Sequence, residues 1–99
     1  MDRLDFKAEG DGKFKLQGKM DFVSSPSALN ESIRLFADLP SIELDLSEVS
    51  ATDSAGLALL VEWTGWARRE HRELYFRSLP KQALALARIS DVDKMLPVR

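Results

Sequence analysis

Apolar and polar residues alternate along residues 4–8, where Leu4, Phe6 and Ala8 are separated by Asp5 and Lys7, and again along 13–17, where Phe14 and Leu16 are separated by lysines. That period of two predicts two strands with one buried face. Between them lies Glu9-Gly10-Asp11-Gly12, a tight-turn signal because positive φ costs little at Asp-Gly, so the strands form a hairpin. Gly18-Lys19-Met20-Asp21 is expected to end it. Ser25 followed by Pro26 marks a helix start, with Ser25 as cap. Leu29, Ile33, Phe36 and Ala37 then recur at helical spacing until Leu39-Pro40. Residues 41–47 alternate through Ile42, Leu44 and Leu46 and predict a third strand. A short polar loop, 48–53, leads into a long amphipathic pattern over 54–72. Residues 74–78 form a short last strand. Pro80 opens a final helix carrying Ala83, Leu84 and Ala87, with Leu86 and Ile89 beside them. The tail, 91–99, contains Met95-Leu96-Pro97-Val98 and is expected to pack as a cover.

The order is thus β-β-α-β-α-β-α, an α/β fold. Strand–helix–strand units need crossovers, which are right-handed, so part of the sheet should be parallel. Alternating strands place the helices on one face of a mixed sheet. With 99 residues the chain is expected to be one domain, residues 1–99.

The long helix is the centre of the pattern. At 100° per residue, Gly56, Leu59, Leu60, Trp63 and Ala67 fall together and should face the sheet, with Trp66 at their edge. The opposite stripe holds Ser54, Ala58, Val61, Gly65, Arg68, Arg69 and Arg72. Arginines near a helix C-terminus favour the macrodipole, and alanine is a good helix former. Yet Gly65 in mid-helix costs about 1 kcal/mol relative to alanine, and a solvated face gains nothing from Val61. Small residues on an outer face let another backbone approach, so the stripe reads as a partner-docking surface. At its start, Asp53 or Ser54 occupies the N-cap position, accepting bonds from unpaired backbone N–H groups.

Composition narrows the chemistry. No cysteine is present, which excludes thiolate catalysis, disulfides and cysteine-ligated zinc, and His71 is the one histidine. No metal or cofactor is therefore expected. A net charge of -2 with interspersed signs gives no nucleic-acid footprint. No apolar run approaches the ~20 residues that span a bilayer, and the start MDRLDFKAEG does not resemble a signal peptide. The expectation is a cytoplasmic domain without direct membrane insertion. A hydrolase set of Ser54, Asp53 and His71 fails on geometry. Ser54 and His71 would lie roughly 25 Å apart on one helix at 1.5 Å per residue, and no P-loop pattern occurs. An enzyme is not expected.

The run Asp45-Leu46-Ser47, Val49 and Thr52-Asp53-Ser54-Ala55-Gly56-Leu57-Ala58-Leu59-Leu60 resembles the signature of STAS domains, the anti-sigma-factor antagonist fold. Gly18-Lys19-Met20-Asp21 is similar to that family's Gly-x-Leu-Asp element. The resemblance covers nearly the whole chain and implies the SpoIIAA-like fold. Within the family, the run 56–60, the Ala83 to Ala87 pattern and Leu96-Pro97 with Arg99 resemble the small STAS subunits of phospholipid-transporting ABC complexes. That implies binding to the ABC transporter ATPase subunit, at the cytoplasmic side of the inner membrane, with Ser54 at the start of the docking helix. The alternative is a sigma-factor antagonist whose matching serine, Ser54, is phosphorylated by an anti-sigma kinase. Ala55 stands where those antagonists carry a second hydroxyl residue. The family also implies that Asp21 lies beside the Asp53–Ser54 loop, whereas the residues alone make it a turn residue. Asp53 either orients the hydroxyl or caps the helix. A third possibility is dimerisation through the same stripe.

Overall fold

The computed structural model describes residues 3–99. Its elements are β1 (Leu4–Ala8), β2 (Lys13–Met20), α1 (Ser25–Phe36), β3 (Ser41–Thr52), α2 (Ser54–Arg69), β4 (Glu73–Arg77) and α3 (Lys81–Ile89), followed by a single 3-10 turn at Asp93–Met95. The strands lie side by side in chain order. β1 and β2 are antiparallel, while β2–β3 and β3–β4 are parallel, which gives the mixed sheet of a SpoIIAA-like α/β fold. The hairpin turn forms at Gly10-Asp11-Gly12, all three at positive φ, with the Lys13 N–H donating to Gly10 O at 3.0 Å.

One face of the sheet is dry. Leu4, Phe14, Leu16, Ile42, Leu44, Leu46, Leu74 and Phe76 are buried against the helical layer. Into them pack Phe36 of α1 and Leu57, Leu59, Leu60, Trp63 and Ala67 of α2, with Ala83 and Ala87 of α3. Phe6, Phe14, Phe36 and Trp63 meet edge-on or tilted, with ring centroids 5.5–6.5 Å apart. Such pairings add to area burial, because ring edges meet the negative ring faces.

Several boundaries differ from the sequence pattern, each for a tertiary reason. β2 does not stop at Gln17. With register shifts at Lys15/Gln17 and Gly18/Lys19, it continues to Met20, paired with Gln17↔Glu48, Lys19↔Ala51 and Met20↔Thr52. The same pairing extends β3 through 48–52, the segment expected as a loop. Glu48 and Ser50 face solvent while Thr52 is buried, so the segment is placed by its pairing with β2 rather than by a run of apolar side chains. α1 turns its face: Ala28, Ser32 and Phe36 are buried, whereas Ile33 is 55% exposed and Ala37 lies on the surface. Small side chains at 28 and 32 bring α1 close to α2, where the Trp63 Nε1–H donates to Ser32 Oγ at 2.8 Å and Ser32 Oγ–H donates to Leu29 O at 2.7 Å. Ser25 does not cap α1. Ser24 is the N-cap residue, and Ser25 lies inside the first turn.

α2 ends at Arg69 rather than Arg72, because His71 adopts positive φ and turns the chain toward β4. The tail does pack. Leu96 is buried and Val98 pairs with Phe76 in parallel, with the Phe76 N–H donating to Pro97 O at 2.8 Å and the Arg99 N–H to Phe76 O at 2.9 Å. This single bridge lays the tail along the outer edge of β4, where free edge groups invite unwanted pairing.

Candidate functional site

The site is the junction where β2 and β3 end and α1 and α2 begin. Asp53 is the cap of α2: Oδ1 accepts from the Ala55 N–H at 2.9 Å and the Gly56 N–H at 3.0 Å. Its other oxygen, Oδ2, accepts from the Phe22 N–H at 3.1 Å, so one carboxylate joins the β3–α2 and β2–α1 loops. Asp21 organises the second loop. Its Oδ1 accepts from the Val23 and Ser24 N–H groups at 3.1 Å each, while its own N–H donates to Ser24 Oγ. Ser25 Oγ–H donates to Asp21 O at 2.6 Å, with Ala55 O 3.4 Å away. Both aspartates are thus spent on backbone donors, and the cap belongs to Asp53 alone.

Ser54 is therefore released from capping. It is the first residue of α2, it is exposed, and it lines a surface groove between α2 and α3 together with Leu57, Ala58, Val61, Leu86 and Val92. Beneath it the helix start is packed tightly. A side chain at Gly56 would collide with Met20 O and Thr52 Oγ1, and the buried Thr52 hydroxyl has no hydrogen-bond partner among the described residues. The Thr52 N–H is held by Gln82 Oε1 of α3 at 3.1 Å.

Along the outer stripe, Ser54, Ala58, Arg68 and Arg69 are exposed, while Val61 and Gly65 are half-buried. Val61 packs against the core cluster. Arg69 meets Glu62 at 3.6 Å on the surface, and Arg68 Nη2 donates to Met95 O at 3.4 Å. Arg72 stands apart from the rest. It lies beyond the helix, and its Nη1 donates to Phe36 O at 3.1 Å and Leu39 O at 2.9 Å while the guanidinium sits 5.4 Å over the Trp66 ring. Those carbonyls close α1, so Arg72 is a staple between α1 and α2.

The junction also includes residues that periodicity passed over. Phe22 is 78% exposed, and with Pro26, Leu29, Ala55, Ala58 and Leu59 it lines a trough between α1 and α2 of about 420 Å³. The signal was two consecutive large apolar residues, Phe22-Val23, in a loop between polar residues. His71 sits at the far end of α2 from Ser54 and Asp53, past the helix terminus.

The sequence model of the family described as "Mlab, STAS domain" matches residues 5–97. Solved structures with the same fold include a putative anti-sigma factor antagonist from Thermotoga maritima, at 15% identity and TM-score 0.77, covering 96% of this chain and 84% of that one. The Bacillus cell-fate determinant SpoIIAA in its phosphorylated form matches at 9% identity and TM-score 0.69, with 97% and 90% covered. The murine solute carrier 26 family member A9 anion transporter matches at 15% identity and TM-score 0.62, over 92% of this chain but 16% of the transporter. These likenesses are of fold. Membership rests on the family match: the chain belongs to the Mlab STAS-domain family.

Proposed function

We propose that this chain is a non-catalytic docking subunit that binds, through the outer face of α2, the ATPase of an ABC transporter for phospholipid, and supports that complex from its cytoplasmic side. The family match over residues 5–97 supports this, since its description names MlaB, whose resemblance implies that role. The observation that carries it is the surface itself. Ser54 and Ala58 stand exposed between two grooves with apolar linings, one against α1 and one against α3. At Gly65 an added side chain would meet only the flexible end of Arg69. Such a ridge with flanking hollows admits a close-packed partner. No described helix is long and apolar enough to cross a membrane. In this reading, attachment to the membrane belongs to the complex. The lipid is cargo of that complex.

The experiment is co-purification with the ATPase subunit, comparing wild type with Ala58→Glu and Gly65→Arg. Both positions lie outside the core, whereas Val61→Glu would also disturb packing against it. Loss of the ATPase with an unchanged melting curve supports docking through α2. Full retention with both variants refutes it.

The sigma-factor reading has one specific observation in its favour: an exposed hydroxyl at Ser54, free of capping duty at a helix N-terminus that tolerates anions. Mass spectrometry of the chain from its own cells decides it. Phosphate on Ser54 and a co-purifying kinase would replace the transporter reading.

A further inference from the structure

The two edges of the sheet differ. The outer edge of β4 is bridged by the tail at Val98, whereas β1 closes the other side with no strand beside it among the described residues. β1 pairs with β2 from Leu4↔Gly18 to Ala8↔Phe14, and one step further the Glu9 N–H donates to Lys13 O at 2.8 Å. Bonded and non-bonded pairs alternate in an antiparallel ladder, so Asp5 and Lys7 also turn their backbone groups into β2. The N–H and C=O groups of Leu4, Phe6 and Ala8 therefore point out along the free edge.

Open edges are commonly guarded by short strands and charged side chains, and the five residues of β1, with Asp5 and Lys7, fit that description. The order of the charges says more. From Arg3 to Glu9 the chain reads Arg-Leu-Asp-Phe-Lys-Ala-Glu, and the exposed charges run plus, minus, plus, minus about the central Phe6. Paired antiparallel with a second copy about Phe6, this strand sets Arg3 opposite Glu9 and Asp5 opposite Lys7. The same register sets Leu4 opposite Ala8 and Phe6 opposite Phe6, so outward backbone groups meet outward groups and each pair exchanges two hydrogen bonds. The charged pairs fall at the non-bonded positions, where side chains stand closest, about 4.5 Å between Cα atoms. Sliding by two residues, the next step the backbone allows, brings Asp5 against Asp5 and Arg3 against Lys7, or Lys7 against Lys7 and Asp5 against Glu9. Like charges directly opposite are destabilising, so the pattern selects one full-length register.

The charges are available for this. Arg3 meets Asp5 at 3.0 Å and Glu31 at 3.9 Å, yet the Arg3 and Asp5 side chains stay 63% and 62% exposed. Lys7 and Glu9 are exposed and have no ion-pair partner among the described residues. A second copy extends the Arg3–Asp5 pair at both ends, with its Glu9 beside Arg3 and its Lys7 beside Asp5. We infer that β1 is a self-association edge: two copies join by antiparallel β1–β1 pairing about Phe6, continuing one sheet through a twofold axis. This is separate from docking through α2, none of whose residues takes part. Five residues a side make a small interface, so the dimer is reversible and weakened by salt.

Sedimentation equilibrium of the purified chain from about 10 μM to 1 mM, the range in which so small an interface dissociates, reads the association. Wild type should pass from monomer to dimer. Asp5→Lys and Lys7→Glu each set like charges opposite one another twice, and each should weaken the dimer roughly tenfold or more with an unchanged melting curve. Mixed in equal amounts, the two variants should dimerise with each other, since the lysines of one then face the carboxylates of the other. The double variant, with the two charges exchanged, should dimerise by itself. Ala8→Pro removes an outward N–H at an edge position that tolerates proline, and should also weaken the dimer. Ala58→Glu, on the outer side of α2, should leave it intact. A chain that is monomeric throughout overturns the inference. So does a dimer that both single variants preserve, or one that Ala58→Glu abolishes, because either belongs to another surface. If the two single variants are monomeric and their mixture stays monomeric, the register is wrong and the inference falls with it.

Discussion

The two glycines of α2 lie nine residues apart on opposite sides of one helix, and their surroundings could hardly differ more. Gly56 is buried where the helix start presses on the ends of β2 and β3, and any side chain there would strike Met20 O and Thr52 Oγ1. Gly65 is half-buried on the outer side, and a side chain would meet only Arg69. The first is demanded by the fold. The second works against helix stability, and no backbone contact among the described residues requires it. In the docking proposal, that cost in stability is met by a partner that approaches the helix from outside.

The largest effect should come from the inward side. Gly56→Ala forces backbone apart at the strand ends and is expected to destabilise by about 3 kcal/mol, read as a lowered urea midpoint. If it is tolerated, the inward contact is softer than its geometry says. Ser32→Ala removes the acceptor of the buried Trp63 indole N–H and should cost about 1–3 kcal/mol. Its partner binding should be retained, because the lost bond lies inside the α1–α2 seam. Gly65→Ala should do the opposite of Gly56→Ala, raising stability by up to about 1 kcal/mol while weakening partner binding. A gain in stability with unchanged affinity would leave Gly65 without an external reason and dissolve the contrast.

The outer face of the sheet supplies the control. There, Lys7, Lys15, Asp45 and Arg77 stand in register across all four strands, and Arg99 lies 3.8 Å over the Tyr75 ring. Burial raises the Asp45 carboxyl, but hydrogen bonds from Ser47 and the charges of Lys15 and Arg77 outweigh it and hold its pKa below the ordinary carboxylate range. A carboxyl lowered in the folded state contributes stability that is complete above its unfolded pKa, about 3.9, and is lost as pH falls through the lower folded value. Asp45→Asn should therefore leave stability at pH 7 slightly lower and flatten the fall below about pH 4, the smallest of these effects, seen as a weaker pH dependence of the melting temperature. Partner binding should be unchanged. Loss of binding would move the docking surface to the sheet.

Much of this was legible in the sequence. Period-two and helical spacing placed all seven main elements in order, and the Asp11-Gly12 turn and the inward stripe Gly56, Leu59, Leu60, Trp63 and Ala67 lie where local chemistry put them. Those features depend on neighbours one to four residues away, which a linear pattern records. The misses share the opposite property. The extension of β3 through 48–52 depends on pairing with β2, some thirty residues earlier, and not on its own polar side chains. The face of α1 was set by Phe36 together with the small residues Ala28 and Ser32, the latter taking the Trp63 N–H, and this left Ile33 outside. Arg72 lay on the extrapolated stripe but serves α1 once His71 turns the chain.

The candidate site divides the same way. Sequence alone placed Asp53 and Ser54 at a helix start, because a capping position is a local fact. It could not divide the work between them, since both residue types cap well and only geometry shows which oxygen meets which N–H. Nor could it join Asp53 to Phe22, 31 residues apart, or show that Phe22, beside Asp21, lines the trough between α1 and α2. Local periodicity determined the elements and their inward faces. Tertiary packing decided which polar groups were consumed and which surfaces stayed open, because those depend on what the rest of the chain brings into contact.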